Sequence, residues 1–239
     1  MNLFDSIDRR KSCRQYLDEP LSKELLNEIE GVLESFPLLF PQAPLSYRFT
    51  DKTKGMFHVQ APHYLVIGGL GKEGEQENAG FVGQQLTLWF NSRGLGSVWL
   101  GASRDATATR QAFDLIIIAF GQVEGSPNRA IDQFKRKEMT EITNASDDNL
   151  IEAVRLAPSG MNIQPWFIEK TENQYHFYRQ ILKAPLSFAY KLTKIDMGIA
   201  LCHFTLACQN RGKDYSFNTK VEAETKKGYD FFASVEILN

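Results

Sequence analysis

Two carboxamides set close together on a turn are the residues of this chain best suited to recognising a small molecule. They lie in Ala157-Pro158-Ser159-Gly160-Met161-Asn162-Ile163-Gln164-Pro165-Trp166, where Asn162 and Gln164 alternate with apolar residues between a proline-halted helix and the start of a strand. Each carries a donor and an acceptor on a short arm, which suits a planar, amide-like edge of a ligand. The same residues also suit a helix-to-strand turn capped by polar groups, and the run alone leaves both readings open. Basic residues gather in two other places, Arg9-Arg10-Lys11-Ser12-Cys13-Arg14 near the start and Phe134-Lys135-Arg136-Lys137-Glu138 in mid-chain. A basic run taken alone is more often a solvated face than an anion site.

Other potentially reactive residues point to structure. Cys13, Cys202 and Cys208 form no CxxC pair and no metal-like spacing with the four histidines, so they read as plain buried thiols, with neither a disulfide framework nor a metal site. His63 and His203 fall within apolar strand and helix patterns and read as satisfied core histidines; His58 and His176 have no partner to make them catalytic. No GxSxG, HExxH or P-loop is present. Residues 68–74 are Gly-rich without GxGxxG spacing and read as a mobile loop bordering a substrate opening.

The elements that must position these residues follow from periodicity. A short helix is expected over 3–10, and Ser22 with Leu25, Leu26, Ile29, Val32 and Leu33 opens an amphipathic helix that Pro37 stops. Buried strands are expected over 63–69, 97–100 and 114–121, with a long helix over 77–93 closed by Arg93-Gly94. Turn-rich residues from Glu124 to Asp148 then separate a second half with the same order of elements: a helix over 147–157, strands over 165–170 and 174–179, a helix over 194–211 closed by Arg211-Gly212, and strands over 213–218 and 229–237. A shift of 118 residues pairs Gly80 with Gly198 and Arg93-Gly94 with Arg211-Gly212. Helix 194–211 has almost no polar face, so it must be buried on all sides, and the two long helices are expected to cross at the centre of the molecule.

Length and charge bound the rest. At 239 residues, 43% hydrophobic and with a formal net charge of -2, the chain fits a soluble globular protein, without the basic stripe of a nucleic-acid binder. The start lacks a secretory signal and no stretch suits a membrane span, so a cytoplasmic location is expected.

The run from Ala157 to Trp166 closely resembles the AP-S-x-x-N-x-Q-P-W signature of the nitroreductase family. Arg9 to Arg14, followed by Tyr16, is similar to that family's opening Arg-Arg-x-Ser-x-Arg/Lys segment. Gly94-Leu95-Gly96-Ser97-Val98-Trp99-Leu100-Gly101 resembles its GLG-x-x-W-x-G strand entry, and residues 134–142 its basic tail, with Glu138 where proline is usual. One departure is informative. The family's turn normally follows soon after the opening arginines, whereas here it stands in the second half, and the matching first-half stretch, residues 34–44, lacks it.

The resemblance implies an α+β fold: two pseudo-repeated halves, 1–143 and 144–239, each with a mixed, mainly antiparallel sheet and helices around central buried helices. Family members are homodimers with FMN at the subunit interface, so a single chain holding one copy of each motif set implies a monomeric pseudo-dimer with one complete FMN site. Arg10, Lys11, Ser12, Arg14, Lys135 and Lys137 would surround the phosphate and ribityl chain, Pro158, Ser159, Gly160 and Asn162 would line the isoalloxazine, and Leu100 and Gly101 would offer close backbone approach near its reactive edge. No side chain is assigned a catalytic role of its own. The implied activity passes hydride from NADH or NADPH through FMN to a small electron-poor acceptor, a nitroaromatic or quinone. A flavin-binding sensor or carrier, or a relic that binds nothing, stays open, because no residue marks a nicotinamide site.

Overall fold

The computed structural model describes residues 2–55, 59–107, 113–221 and 223–239; His58 lies outside them. In chain order the main elements are α1 (Lys23–Ser35), β1 (Ser46–Thr50), β2 (Thr53–Gly55), β3 (His63–Gly68), α2 (Glu75–Ser92), β4 (Gly96–Leu100), β5 (Ser103–Asp105) and β6 (Asp114–Gly121). There follow α3 (Met139–Ile142), α4 (Asn149–Arg155), β7 (Trp166–Thr171), β8 (Gln174–Gln180), α5 (Thr193–Asn210), β9 (Tyr215–Asn218) and β10 (Tyr229–Ile237).

The local signals act where expected. The Ser22 hydroxyl accepts the Leu25 N–H and starts α1, and Gly94 and Gly212 take left-handed conformations just beyond α2 and α5. The first segment differs: only Leu3–Ser6 is helical, as one 3-10 turn, because Lys11 N–H and Pro127 C=O, with Arg129 N–H and Arg9 C=O, draw residues 9–11 into pairing with 127–129. Strands β1, β2 and β5 escaped the sequence reading, since two are only three residues long and β1 is partly exposed.

Two four-stranded antiparallel sheets result, ordered β1-β3-β6-β4 and β7-β8-β10-β9. Strand for strand, the second repeats the first. Between the sheets lie α2 and α5, buried along nearly their whole length. Two glycines set their contact. A Cβ on Gly80 would stand 2.0 Å from the Ile195 carbonyl oxygen, and one on Gly198 would stand 2.0 Å from the Glu77 carbonyl oxygen. Both pairs are the same contact taken 118 residues apart, so the helices cross about a pseudo-two-fold axis.

Gly80→Ala and Gly198→Ala each place a methyl group against backbone that cannot rotate away. We expect a net loss of about 1–3 kcal/mol apiece in urea unfolding, of similar size at both positions, despite alanine's better helix propensity.

Candidate functional site

Pairing of residues 9–11 with 127–129 buries Arg10, which is 4% exposed. Its guanidinium has Arg129 and Arg136 as cationic neighbours, and burial followed by these two charges lowers its pKa to about 9. Burial, then Arg129 and Arg155, lowers that of Arg136 to about 10. All three stay charged at neutral pH. None takes part in an ion pair among the described residues. Arg129 and Arg136 lie over the buried Phe134 ring, 3.6 and 5.5 Å from its centroid, and the Nε of each is buried without a hydrogen-bond partner. Three guanidiniums without a carboxylate form a cradle for an anion.

A path leads away from this cradle. Ser12 bridges Ser97 in parallel, and Cys13 N–H donates to the Ser97 carbonyl at 3.0 Å, which lays the arginine segment along β4. At about 3.3 Å per residue, β4 carries the chain some 13 Å, on the order of one phosphorylated nucleotide, from Ser97 to Gly101. Leu100 is buried. Gly101 is open, and a Cβ there would meet only Leu192, at 3.5 Å, and Ile116. Leu192 belongs to the second half, so the strand ends where the two halves meet. A cavity of about 520 Å³ opens beside Gly101, with Lys54, Arg104, Asp114 and Ile116 in its wall.

The turn of residues 158–164 lies against the basic segment. Met161, Asn162 and Gln164 all have positive φ, between 51° and 57°, which costs a non-glycine residue roughly 1–2 kcal/mol. Side chains hold the strained backbone. Ser159 Oγ accepts the Gln164 N–H at 2.8 Å. Asn162 Oδ1 accepts from Arg136 Nη1 and its Nδ2 donates to the Lys135 carbonyl, both at 2.9 Å. Gln164 Oε1 accepts the Lys137 N–H, and Lys137 Nζ donates to the Gln164 carbonyl. Both carboxamides therefore brace the basic segment. Beneath the turn, Gly160 N–H donates to Asp196 Oδ1 of α5 at 2.9 Å.

The first half holds its corresponding loop differently. Asn78, which stands 118 residues before Asp196, accepts from Phe40 N–H and donates to the carbonyls of Phe40 and Ala43. Phe40 packs edge-on against Phe217 of β9 at 5.6 Å, at the place related to the end of β4. Aromatic rings fill what is open around Gly101. Loop 68–74 lies on this side: its Leu70 and Gly71 N–H groups donate to the Glu75 carboxylate, and Gly71 and Gly74 abut Phe113 and Phe40.

The residues expected from sequence thus fall into groups. Arg10, Ser12, Lys137, Pro158, Ser159, Gly160 and Asn162 belong to the cradle and turn, and Leu100 and Gly101 to the far end of β4. Lys11 is half-buried on the paired segment, whereas Arg14 and Lys135 are exposed. Arg136, standing between Lys135 and Lys137, is the residue that turns inward, because alternate residues of an extended segment face opposite sides. Sequence reading also missed Arg129 and Asp196. The only signal for the latter was a lone carboxyl in the first turn of an apolar helix.

His203 is a satisfied core histidine. Its Nδ1–H donates to the Ala153 carbonyl and its Nε2 accepts from Gln84 Nε2, both at 2.8 Å. His63 accepts the Leu21 N–H, His176 bonds Ser234 and Thr171, and the three cysteines are free, buried thiols.

A partly buried cationic cradle and an open glycine near residues of the second half could together hold an anionic ligand. Comparison with known proteins gives the chain a family. Residues 2–208 match the family model described as "Putative TM nitroreductase". The crystal structure of a "putative nitroreductase" from Thermotoga maritima superposes with a TM-score of 0.69 at 21% identity, covering 99% of this chain and 94% of that one. A nitroreductase family protein from Clostridium difficile 630 is 19% identical and covers 54% of this chain and 88% of its own, with a TM-score of 0.45. An FMN-dependent nitroreductase from Clostridium difficile R20291 is 17% identical over 54% of this chain and 93% of its own, with a TM-score of 0.41. No curated protein matches the sequence. The chain belongs to the nitroreductase family of oxidoreductases.

Burial, with Arg10 and Arg136 nearby, lowers the His203 pKa to about 3 against an ordinary 6.5. The unfolded chain therefore binds the extra proton first, so the contribution of His203 is present above pH 6.5 and lost as pH falls toward 3. We expect wild type to lose up to about 5 kcal/mol more than His203→Gln across that window, measured by urea unfolding at stepped pH.

Proposed function

We propose that this chain is an FMN-dependent oxidoreductase, reduced by NADH or NADPH, whose acceptor is a small electron-poor molecule such as a nitroaromatic or quinone. The observation that carries the reading is the cluster of buried Arg10 with half-buried Arg129 and Arg136, none of them in an ion pair among the described residues, beside the 158–164 turn. When bound, FMN supplies the hydride chemistry, and the protein supplies binding, orientation and electrostatics.

The residues fit such a ligand. Buried guanidiniums without counter-ions suit a phosphate dianion, which would satisfy the orphaned Nε atoms of Arg129 and Arg136. Lys11 and the Ser12 hydroxyl stand beside that cluster, and the exposed Arg14 and Lys135, with Lys137, add positive potential around it. Leu100 and Gly101 supply backbone at the far end of β4, where the missing side chain allows close approach. Pro158, Ser159 and Gly160 form the opposing wall, and Asn162 fixes that wall to the basic segment. The packing of Phe40 on Phe217 at the symmetry-related place favours one flavin per chain. On this reading residues 1–143 and 144–239 stand in for two subunits, and the protein works as a monomer.

Purified protein mixed with FMN and desalted should retain about one flavin per chain, and anaerobic NADH or NADPH should bleach it. Retained flavin that neither nucleotide bleaches would instead mark a carrier or sensor; no retained flavin would remove the flavin reading. Arg10→Ala and Asn162→Ala should each weaken FMN binding by about 1–3 kcal/mol in fluorescence titration, the first by losing a phosphate partner and the second by freeing Arg136.

A further inference from the structure

Asp196 is a carboxyl that its structural duty does not explain. It stands in the first turn of α5, 5% exposed, and its described hydrogen bond is the one its Oδ1 accepts from Gly160 N–H. It has no ion pair among the described residues. Gly160 lies directly over it with no side chain of its own: a Cβ there would stand 3.8 and 3.9 Å from the two carboxyl oxygens. Leu192, one helical turn before Asp196, stands against Gly101, so the carboxyl is one turn away from the residue that borders the open end of β4.

The molecule contains its own control. Asn78 occupies the same place on α2, fully buried, and docks the corresponding loop with three hydrogen bonds and no charge. Anchoring a loop to the central helices therefore requires no ionisable group, and burying one costs free energy that an amide avoids. The charged groups around Asp196 are otherwise engaged: Lys194 of its own helix pairs with Glu77 of α2, and Arg136 and Lys137 are bound to Asn162 and Gln164 beyond the turn. Burial, partly offset by the Gly160 N–H, raises its pKa to about 7, so near neutral pH the group gains and loses a proton readily.

We propose that Asp196 is a proton-exchanging residue of the site, serving the ligand that lies against Gly160. Its O–H bond breaks as a bond from that proton to a basic atom of the ligand forms, and the carboxylate regains a proton from water; no oxidant or reductant is consumed. The inference rests on the flavin reading for the identity of that ligand.

The test is a pH titration of the full-length protein carrying carboxyl-¹³C aspartate, with and without saturating FMN, the Asp196 resonance being assigned by its loss in Asp196→Asn. A midpoint near neutrality that moves by about half a pH unit or more when FMN binds is the expected result. A midpoint below about pH 5, or one that FMN binding leaves in place, overturns the proposal. Asp196→Asn should retain FMN within about threefold of wild-type affinity, because Asn78 shows that an amide can dock the loop. It should also abolish a bend near neutral pH in the flavin midpoint potential plotted against pH. Loss of FMN binding in Asp196→Asn with no bend in wild type would reduce the residue to a structural anchor and overturn the proposal. If Asp196→Asn does not fold, Asp196→Glu provides the assignment by removing the labelled resonance. Failure of wild type to bind FMN removes the flavin reading separately, and the ligand-free midpoint still decides whether Asp196 holds a proton at neutral pH.

Discussion

Backbone contact between α2 and α5 is the constraint on which the rest of the structure depends. Gly80 and Gly198 let each helix press its carbonyl groups against the other where any side chain would intervene. Because the contact is reciprocal, it fixes both the distance between the two sheets and the axis that relates them. A helix as apolar all round as α5 has no other stable place. Everything at the site is then measured from these helices: Asp196 and Leu192 from the start of α5, and Asn78 from the start of α2.

Against this near-symmetry the electrostatics are one-sided. Residues 9–11 and 127–129 pair, and there buried Arg10 gathers with half-buried Arg129 and Arg136, none of them in an ion pair among the described residues. Such a cluster is unfavourable by itself, since each guanidinium is desolvated beside like charge. It is held because Phe134 packs beneath two of the groups and because Asn162 and Gln164 bind the segment that delivers Arg136. The strained turn and the basic segment thus brace one another. Local strain of this kind concentrates where surrounding structure over-determines a geometry that function uses.

The two loops docked on the central helices show how one architecture takes on two roles. In the first half a neutral amide grips a loop whose Phe40 packs against Phe217; in the second a carboxyl grips a glycine, and the space stays open. Two substitutions, Asn78 where the second half has Asp196 and Phe40 where it has Pro158, separate a filled corner from an accessible one. The helices that carry the two loops are equivalent, but the loop backbones differ: three non-glycine residues of the second take positive φ.

Much of this was legible in the sequence. The apolar faces of 77–93 and 194–211 fixed two central helices, the order of strands implied two like sheets, and the run from Ala157 to Trp166 marked the turn, because periodicity, caps and motifs are local properties of a chain. Which cations face inward was not legible. Lys135 and Arg136 differ by one residue along an extended segment, and only the long-range pairing with Asn162 and Gln164 decides which side is buried. Arg129 and Asp196 likewise acquire meaning from partners in distant segments, through Arg10 and Gly160. The sequence by itself determined the long helices, the longer strands and the motif; tertiary structure decided the short strands, burial and charge environment at the site, because these depend on register between segments more than twenty-five residues apart.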